Sequence, residues 1–339
     1  MRGKSRTIAR RGGVVELASP IRVLVVDDSA FMRAVITRLL TADPELEVVG
    51  TARDGLEAVE KARALRPDVV TLDVEMPRLD GLSALRRIMA ECPCPVVMVS
   101  SLTQEGAATT VRALALGAVD FVPKPSGPVS LDLHRVGAEL VRKVKVAAGV
   151  PRQRLQPWAG AGTPARAGDT RSDRSTAVAG GRVARVRLGA RPLESGCVHP
   201  VPAGSSQAGS PPWPTPRKLS HLVVIAASTG GPGVLYRLLG VLPPGLQAGL
   251  LVVQHMPAGF TAALAQHLDE SCALVVREAR DGDVLQDGMV LVAPGDHHLL
   301  VEAGGRLRLD QGPPRHGVRP AADVTLESIP PALAPRTLV

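Results

Sequence analysis

The chain has 339 residues, of which 45% are hydrophobic but only 2% aromatic, and its net charge at pH 7 is +8. That length holds two domains with aliphatic cores, and no apolar run approaches the ~20 residues that span a bilayer, so no direct membrane insertion is expected. The charge looks at first like a nucleic-acid signature, but residues 146–218 carry ten Arg and one Lys against two Asp and one Glu. The basic excess therefore sits in one stretch of linker character rather than on a folded face, and no nucleic-acid partner is expected.

In chain order, Arg2, Lys4, Arg6, Arg10 and Arg11 are followed by Gly12-Gly13 and Glu16 rather than by an apolar segment. Residues 1–20 thus read as a disordered tail and not as an export signal. Cys92, Cys94, Cys197 and Cys272 show no paired spacing, which fits reduced thiols in a cytoplasmic protein. From Ile21 the pattern alternates strand and helix. Strands are expected over Ile21–Val26, Glu47–Thr51, Val69–Leu72, Val96–Val99 and Val119–Val122. Helices follow Ser29, through Phe31, Val35, Ile36 and Leu39-Leu40, and run over Gly55–Leu65 and Val129–Val146. Five strands alternating with helices imply a doubly wound parallel sheet, and right-handed crossovers bring all the strand ends to one edge.

That edge collects Asp27, Asp28, Asp73, Ser100 and Lys124. Crowded carboxylates repel unless a hard cation joins them, and oxygen donors of this kind suit Mg²⁺. An ammonium and a hydroxyl nearby would hold a transferred phosphoryl group. Singly, Asp27 and Asp28 also suit a helix start and Lys124 a solvated surface. The segments V-L-V-V-D-D-S, T-L-D-V-E-M-P-R-L-D-G-L, V-M-V-S-S and D-F-V-P-K-P make residues 21–146 resemble a response-regulator receiver domain. The resemblance implies phosphorylation of Asp73 by a partner histidine kinase, with Mg²⁺ held by Asp27, Asp28 and Asp73. It also implies Ser100 as the switch hydroxyl, Lys124 as the phosphoryl contact and Phe121 as the aromatic that follows the switch.

Residues 147–218 are rich in Pro, Gly, Ala, Arg and Ser, a composition that buries too little apolar surface to offset chain entropy, so a disordered linker is expected. Residues 219–339 form a second α/β domain. Leu222–Ala227 reads as a buried parallel strand, which stops at Ser228-Thr229-Gly230-Gly231-Pro232 before a short helix over Val234–Leu239. Leu250–Val253 is the next strand and ends in Gln254-His255-Met256-Pro257. Ser228 and His255 therefore stand at the carboxyl ends of neighbouring strands, where ligands bind in open α/β sheets. A serine hydroxyl needs a base to take its proton, and a neutral imidazole serves near pH 7. The plainer alternatives are a helix cap at Ser228 or Thr229 and a surface or capping role for His255. G-x-S-x-G is absent, so a hydrolase nucleophile elbow is not supported. His297-His298 would point to opposite faces of a strand, which argues against a shared metal.

From Leu222 onward, A-S-T-G-G-P, V-V-Q-H-M-P-A-G-F-T, D-G-D-V-L, V-A-P-G-D-H-H-L and R-P-A-A-D-V resemble the catalytic domain of the chemotaxis protein-glutamate methylesterase/glutaminase (CheB) family. A receiver, a tether and this Rossmann-like domain are that family's architecture. The resemblance implies hydrolysis of glutamyl methyl esters on methyl-accepting chemoreceptors and deamidation of receptor glutamines, with Ser228 attacking, His255 relaying the proton and Thr229 supporting substrate or oxyanion. It implies no cofactor for the ester chemistry, a receiver that covers the site until Asp73 is phosphorylated, and a monomer. The family's third triad member is an aspartate in an L-T-G-M-G-x-D-G loop. This chain stops at Pro335–Val339, where the strand before that loop is expected to start, so the domain reads as incomplete. Asp281, Asp283, Asp296 and Asp323 lie in other segments and are not taken for the role. Loss of an orienting aspartate costs about 10⁴ in kcat in a Ser-His-Asp site. The alternative function is therefore a catalytically disabled receiver protein that binds receptors or drains phosphoryl groups. A DNA-binding regulator is the weakest alternative, since no helix-turn-helix pattern follows the receiver.

Overall fold

Runs of Val, Leu and Ile alternating with capped amphipathic helices wind the first half into a parallel sheet. The computed structural model describes residues 19–101, 103–124, 130–152, 155 and 218–339. Residues 1–18 of the expected tail, residues 156–217 of the expected linker and Cys197 lie outside the described residues.

The first sheet contains β1 (Ile21–Val26), β2 (Leu46–Ala52), β3 (Val69–Asp73), β4 (Val96–Ser100) and β5 (Asp120–Pro123). Its order is β2-β1-β3-β4-β5, with every pair parallel. All residues of β3 and β4 are buried, as strands covered on both faces must be. The intervening helices are α1 (Ala30–Thr41), α2 (Gly55–Leu65), α3 (Gly81–Glu91) and α4 (Gln104–Ala115), and α5 (Ser130–Ala148) follows β5. Ser29, Asp54, Asp80 and Thr103 cap the first four, each side chain accepting from a backbone N–H one turn in. Such caps satisfy donors that a helix start leaves orphaned.

The second sheet has the order β12-β6-β7-β9-β8, again all parallel. Its strands are β6 (Leu222–Ala227), β7 (Gly249–Gln254), β8 (Val275–Glu278), β9 (Met289–Val292) and β12 (Thr337–Leu338). Helices α6 (Gly231–Leu239) and α7 (Phe260–Ser271) make the crossovers. A hairpin of β10 (His298–Val301) and β11 (Leu307–Asp310) and the short helix α8 (Ala322–Glu327) complete the domain. The helix after Ser228 starts at Gly231, three residues before the apolar run Val234–Leu239 and in keeping with Pro232 as a first-turn residue. Gly230 takes φ 78° at the cap and Pro232 sits in the first turn, where its missing N–H costs nothing.

The two domains share one hydrophobic cluster. It runs from β1, β3 and β4 through α4 to Leu235, Tyr236 and Leu239 of α6 and Phe260, Leu264 and Leu268 of α7, with α4 packed on α6 and α7. Phe121 of β5 stacks on Phe260, ring centroids 4.4 Å apart and planes 14° from parallel. No helix of the described residues is long and apolar enough to cross a membrane.

Candidate functional site

At the carboxyl edge of the first sheet, ligand atoms of Asp27, Asp28 and Asp73 lie within 4.8 Å of one another. Asp27 and Asp73 are buried. Lys124 at the end of β5 puts Nζ 3.2 Å from Asp27 and 2.8 Å from Asp73. Burial pushes the Asp73 carboxyl up to about 6, aided by the charge of Asp27 and opposed by the hydrogen bond and charge of Lys124. One ammonium thus faces three carboxylates, an all-oxygen set with a charge deficit that suits Mg²⁺. Ser100 stands beside them at the end of β4, its hydroxyl 3.3 Å from the Gly106 carbonyl. Gly81 starts α3 against the Asp73 backbone; a Cβ there would be 2.0 Å from the Asp73 carbonyl oxygen. Asp27, Asp28, Asp73 and Lys124 are thus together, and Ser100 ends the neighbouring strand with its hydroxyl bonded to the Ser101 and Gly106 carbonyls.

Phe121, expected as the switch aromatic, is 1% exposed. Its ring lies between Phe260 and Lys143, whose Nζ is 5.0 Å from the ring centroid. Lys143 is itself buried, donating to the Phe121 carbonyl at 2.6 Å and to Asp120 at 3.1 Å. Neither Lys143 nor Phe260 stands out in the sequence, where one is a helical lysine and the other opens an amphipathic helix.

The second site lies where β6 and β7 end. Their register pairs Ala227 with Gln254, so Ser228 and His255 leave the sheet side by side, and the His255 N–H donates to the Ala227 carbonyl at 3.1 Å. The Ser228 carbonyl accepts from the Gly231 N–H at 2.8 Å and from Gln254 Nε2 at 3.1 Å. Ser228 is exposed and His255 half-buried. Among the described residues no hydrogen bond joins the Ser228 hydroxyl to the His255 ring. Burial lowers the His255 pKa, the charges of Arg142 and Lys143 lower it further, and Asp323 opposes them. The imidazole is thereby kept neutral, the form able to accept a proton.

Both cations belong to α5 of the first domain. Arg142 donates from Nη1 to Thr229 Oγ1 at 3.5 Å, so Thr229, expected beside substrate, meets a receiver-side guanidinium here. A cavity of about 610 Å³ lies at the junction, lined by Ser228, Thr229 and Gly230 on one side and Leu114, Val119 and Val146 on the other. The first domain flanks Ser228, which stays exposed. The aspartates left out of the triad have other partners: Asp281 accepts from the Leu309 N–H, Asp283 pairs with Arg277, Asp296 with Arg319, and Asp323 stands 3.7 Å from His316. His298 is buried, linking the Pro313 carbonyl and the Ala321 N–H, while His297 lies beside the Gly295 carbonyl. Among the described residues these histidines belong to no metal-ligating cluster.

Two family models match the chain: CheB methylesterase over residues 223–339 and response regulator receiver domain over residues 23–134. A protein of Symbiobacterium thermophilum named protein-glutamate methylesterase/protein-glutamine glutaminase is 55% identical over 313 residues, covering 92% of this chain and 77% of the relative. A Pyrococcus abyssi protein of the same name is 46% identical over 307 residues, covering 89% and 72%. The solved response regulator domain of Thermotoga maritima CheB is 56% identical across 39% of this chain and 98% of that one, with a TM-score of 0.37.

Proposed function

The chain belongs to the protein-glutamate methylesterase/protein-glutamine glutaminase family, and from that premise we propose that Ser228 and His255 carry its hydrolytic chemistry under control of phosphorylation at Asp73. The Ser228 hydroxyl attacks the side-chain carbonyl of a glutamyl methyl ester on a chemoreceptor as His255 takes its proton. The developing oxyanion lies near the N-terminal turn of α6, where helix N–H groups favour negative charge. His255 returns the proton to the departing methoxide, releasing methanol. Water activated by the same imidazole then frees the glutamate. A receptor glutamine follows the same course with ammonia leaving. The observation that carries this reading is the register Ala227 to Gln254, which brings the nucleophile and a neutral base to adjoining strand ends.

The receiver supplies the control. A chemotaxis histidine kinase is the phosphodonor, and bound Mg²⁺, held by Asp27, Asp28 and Asp73, would neutralise charge on the incoming phosphoryl group. Lys124 pairs with that group, and Ser100 and Phe121 respond to it. The added charge, about −1.5 to −2, shifts the receiver away from the second domain and opens the cavity at Ser228. Methanol release from methylated receptor membranes, with Mg²⁺ and acetyl phosphate, tests the reading. Ser228→Ala is expected to abolish release while leaving Asp73 phosphorylation intact, and retained release would refute the assignment. Asp73→Asn is expected to remove the response to the phosphodonor.

A further inference from the structure

Gln254 is the last residue of β7, is 2% exposed and lies between the two proposed reacting residues without belonging to either. Its side-chain amide donates to the Ser228 carbonyl at 3.1 Å and to the His255 carbonyl at 3.4 Å. A carboxamide NH₂ has two protons and no other uncharged side-chain group matches that geometry. The orientation of the amide follows from the same contacts, because the opposite one would set an acceptor against two acceptors. Its Oε1 faces Gly231, where a Cβ would stand 2.2 Å away. Glycine at 231 thus leaves room for the amide, and the amide ties the backbone of the nucleophile to that of the base. The last main-chain rung between the strands runs from the His255 N–H to the Ala227 carbonyl, and the clamp carries the register one residue further, to Ser228.

We infer that Gln254 is a positioning residue, fixing the separation of Ser228 and His255 through their main chains, with Gly231 as its partner. The inference rests on the assignment of Ser228 and His255 proposed above. A displacement of about 1 Å between reacting groups costs on the order of 10²-fold in rate, so the clamp acts on kcat and leaves substrate binding alone.

The test uses the full chain with phosphodonor and Mg²⁺, comparing Gln254→Leu, Gln254→Asn, Gly231→Ala and the double variant Gln254→Leu/Gly231→Ala, with circular dichroism to establish folding. Methanol release is expected to show kcat about 10–100-fold lower in Gln254→Leu with KM within about twofold. Gln254→Asn, too short to reach both carbonyls, is expected to lose kcat as well. Gly231→Ala displaces the amide and also crowds the Ala227 Cβ, 2.8 Å away, so it is expected to lose at least as much kcat, with the double variant losing less than the two single losses combined; a role in packing alone would give additive losses. Labelling of Ser228 by an alkyl fluorophosphonate reads the nucleophile without receptor substrate and is expected to slow in parallel. Unchanged kcat and labelling in folded Gln254→Leu would overturn the inference. Ser228→Ala run alongside separates the two failures: if it still releases methanol, the Ser228 assignment is wrong, and if it is inactive while Gln254→Leu is not, only the clamp is.

Discussion

The stack of Phe121 on Phe260 makes the contact between the two domains measurable. Both rings are 1% exposed, and at 4.4 Å and 14° they form a parallel aromatic pair, a geometry that contributes about 0.5–1.5 kcal/mol beyond the area it buries. Phe260→Leu keeps an apolar side chain at the first turn of α7 but removes the ring. If the flanked state is the less active one, losing about 1 kcal/mol from it shifts the closed-to-open ratio about fivefold, since 1.4 kcal/mol is tenfold. Methanol release without phosphodonor is then expected to rise about fivefold. The rate with acetyl phosphate stays where it was, so the fold-activation falls by the same factor. An unchanged basal rate would refute the argument. So would an equal fall in both rates, which would mean that the ring serves the second domain's own fold.

Three further expectations come from the same region. Arg142→Ala removes a cation that, after burial, helps hold the His255 pKa down; the pKa rises, and the acid limb of the basal pH–rate profile moves to higher pH. Lys143→Met leaves the Asp120 carboxylate, 3.1 Å from Lys143 Nζ and 7% exposed, without its buried counter-charge. A loss of about 3 kcal/mol is expected, visible as a drop in Tm of about 6–12 °C. Gly81→Ala would drive a methyl into the Asp73 carbonyl, costing about 1–3 kcal/mol in urea unfolding and slowing phosphorylation of Asp73 by acetyl phosphate.

Strand ends were the most legible part of this molecule. Apolar runs that stop at Asp, Ser or His announce the strand and the polar residue at its carboxyl edge, and the positions of Asp27, Asp73, Ser100, Ser228 and His255 were all readable in that way. β1, α2 and β6 have the bounds expected of them, because turn residues and caps punctuate them. The start of α6 was less visible, since Gly231, Pro232 and Gly233 carry no helical periodicity. The strands β8 to β11, four residues each, are too short to show a period. That the domains meet was implied by the family resemblance, but the residues that make the contact were not legible. Phe260 and Arg142 have ordinary local roles on their helices, and only tertiary packing brings one against Phe121 and the other against Thr229. The same holds for Gln254, whose importance lies in two carbonyls that no side-chain pattern records.

The shared cavity has a thermodynamic consequence. A receptor segment entering at Ser228 and a phosphoryl group arriving at Asp73 would both favour separation of the same two surfaces. Linkage requires such effects to be mutual: whatever factor phosphorylation adds to receptor affinity, a bound receptor adds to the equilibrium constant for phosphorylating Asp73. On the proposed reading, substrate and signal would therefore reinforce one another at equilibrium without touching the same residue.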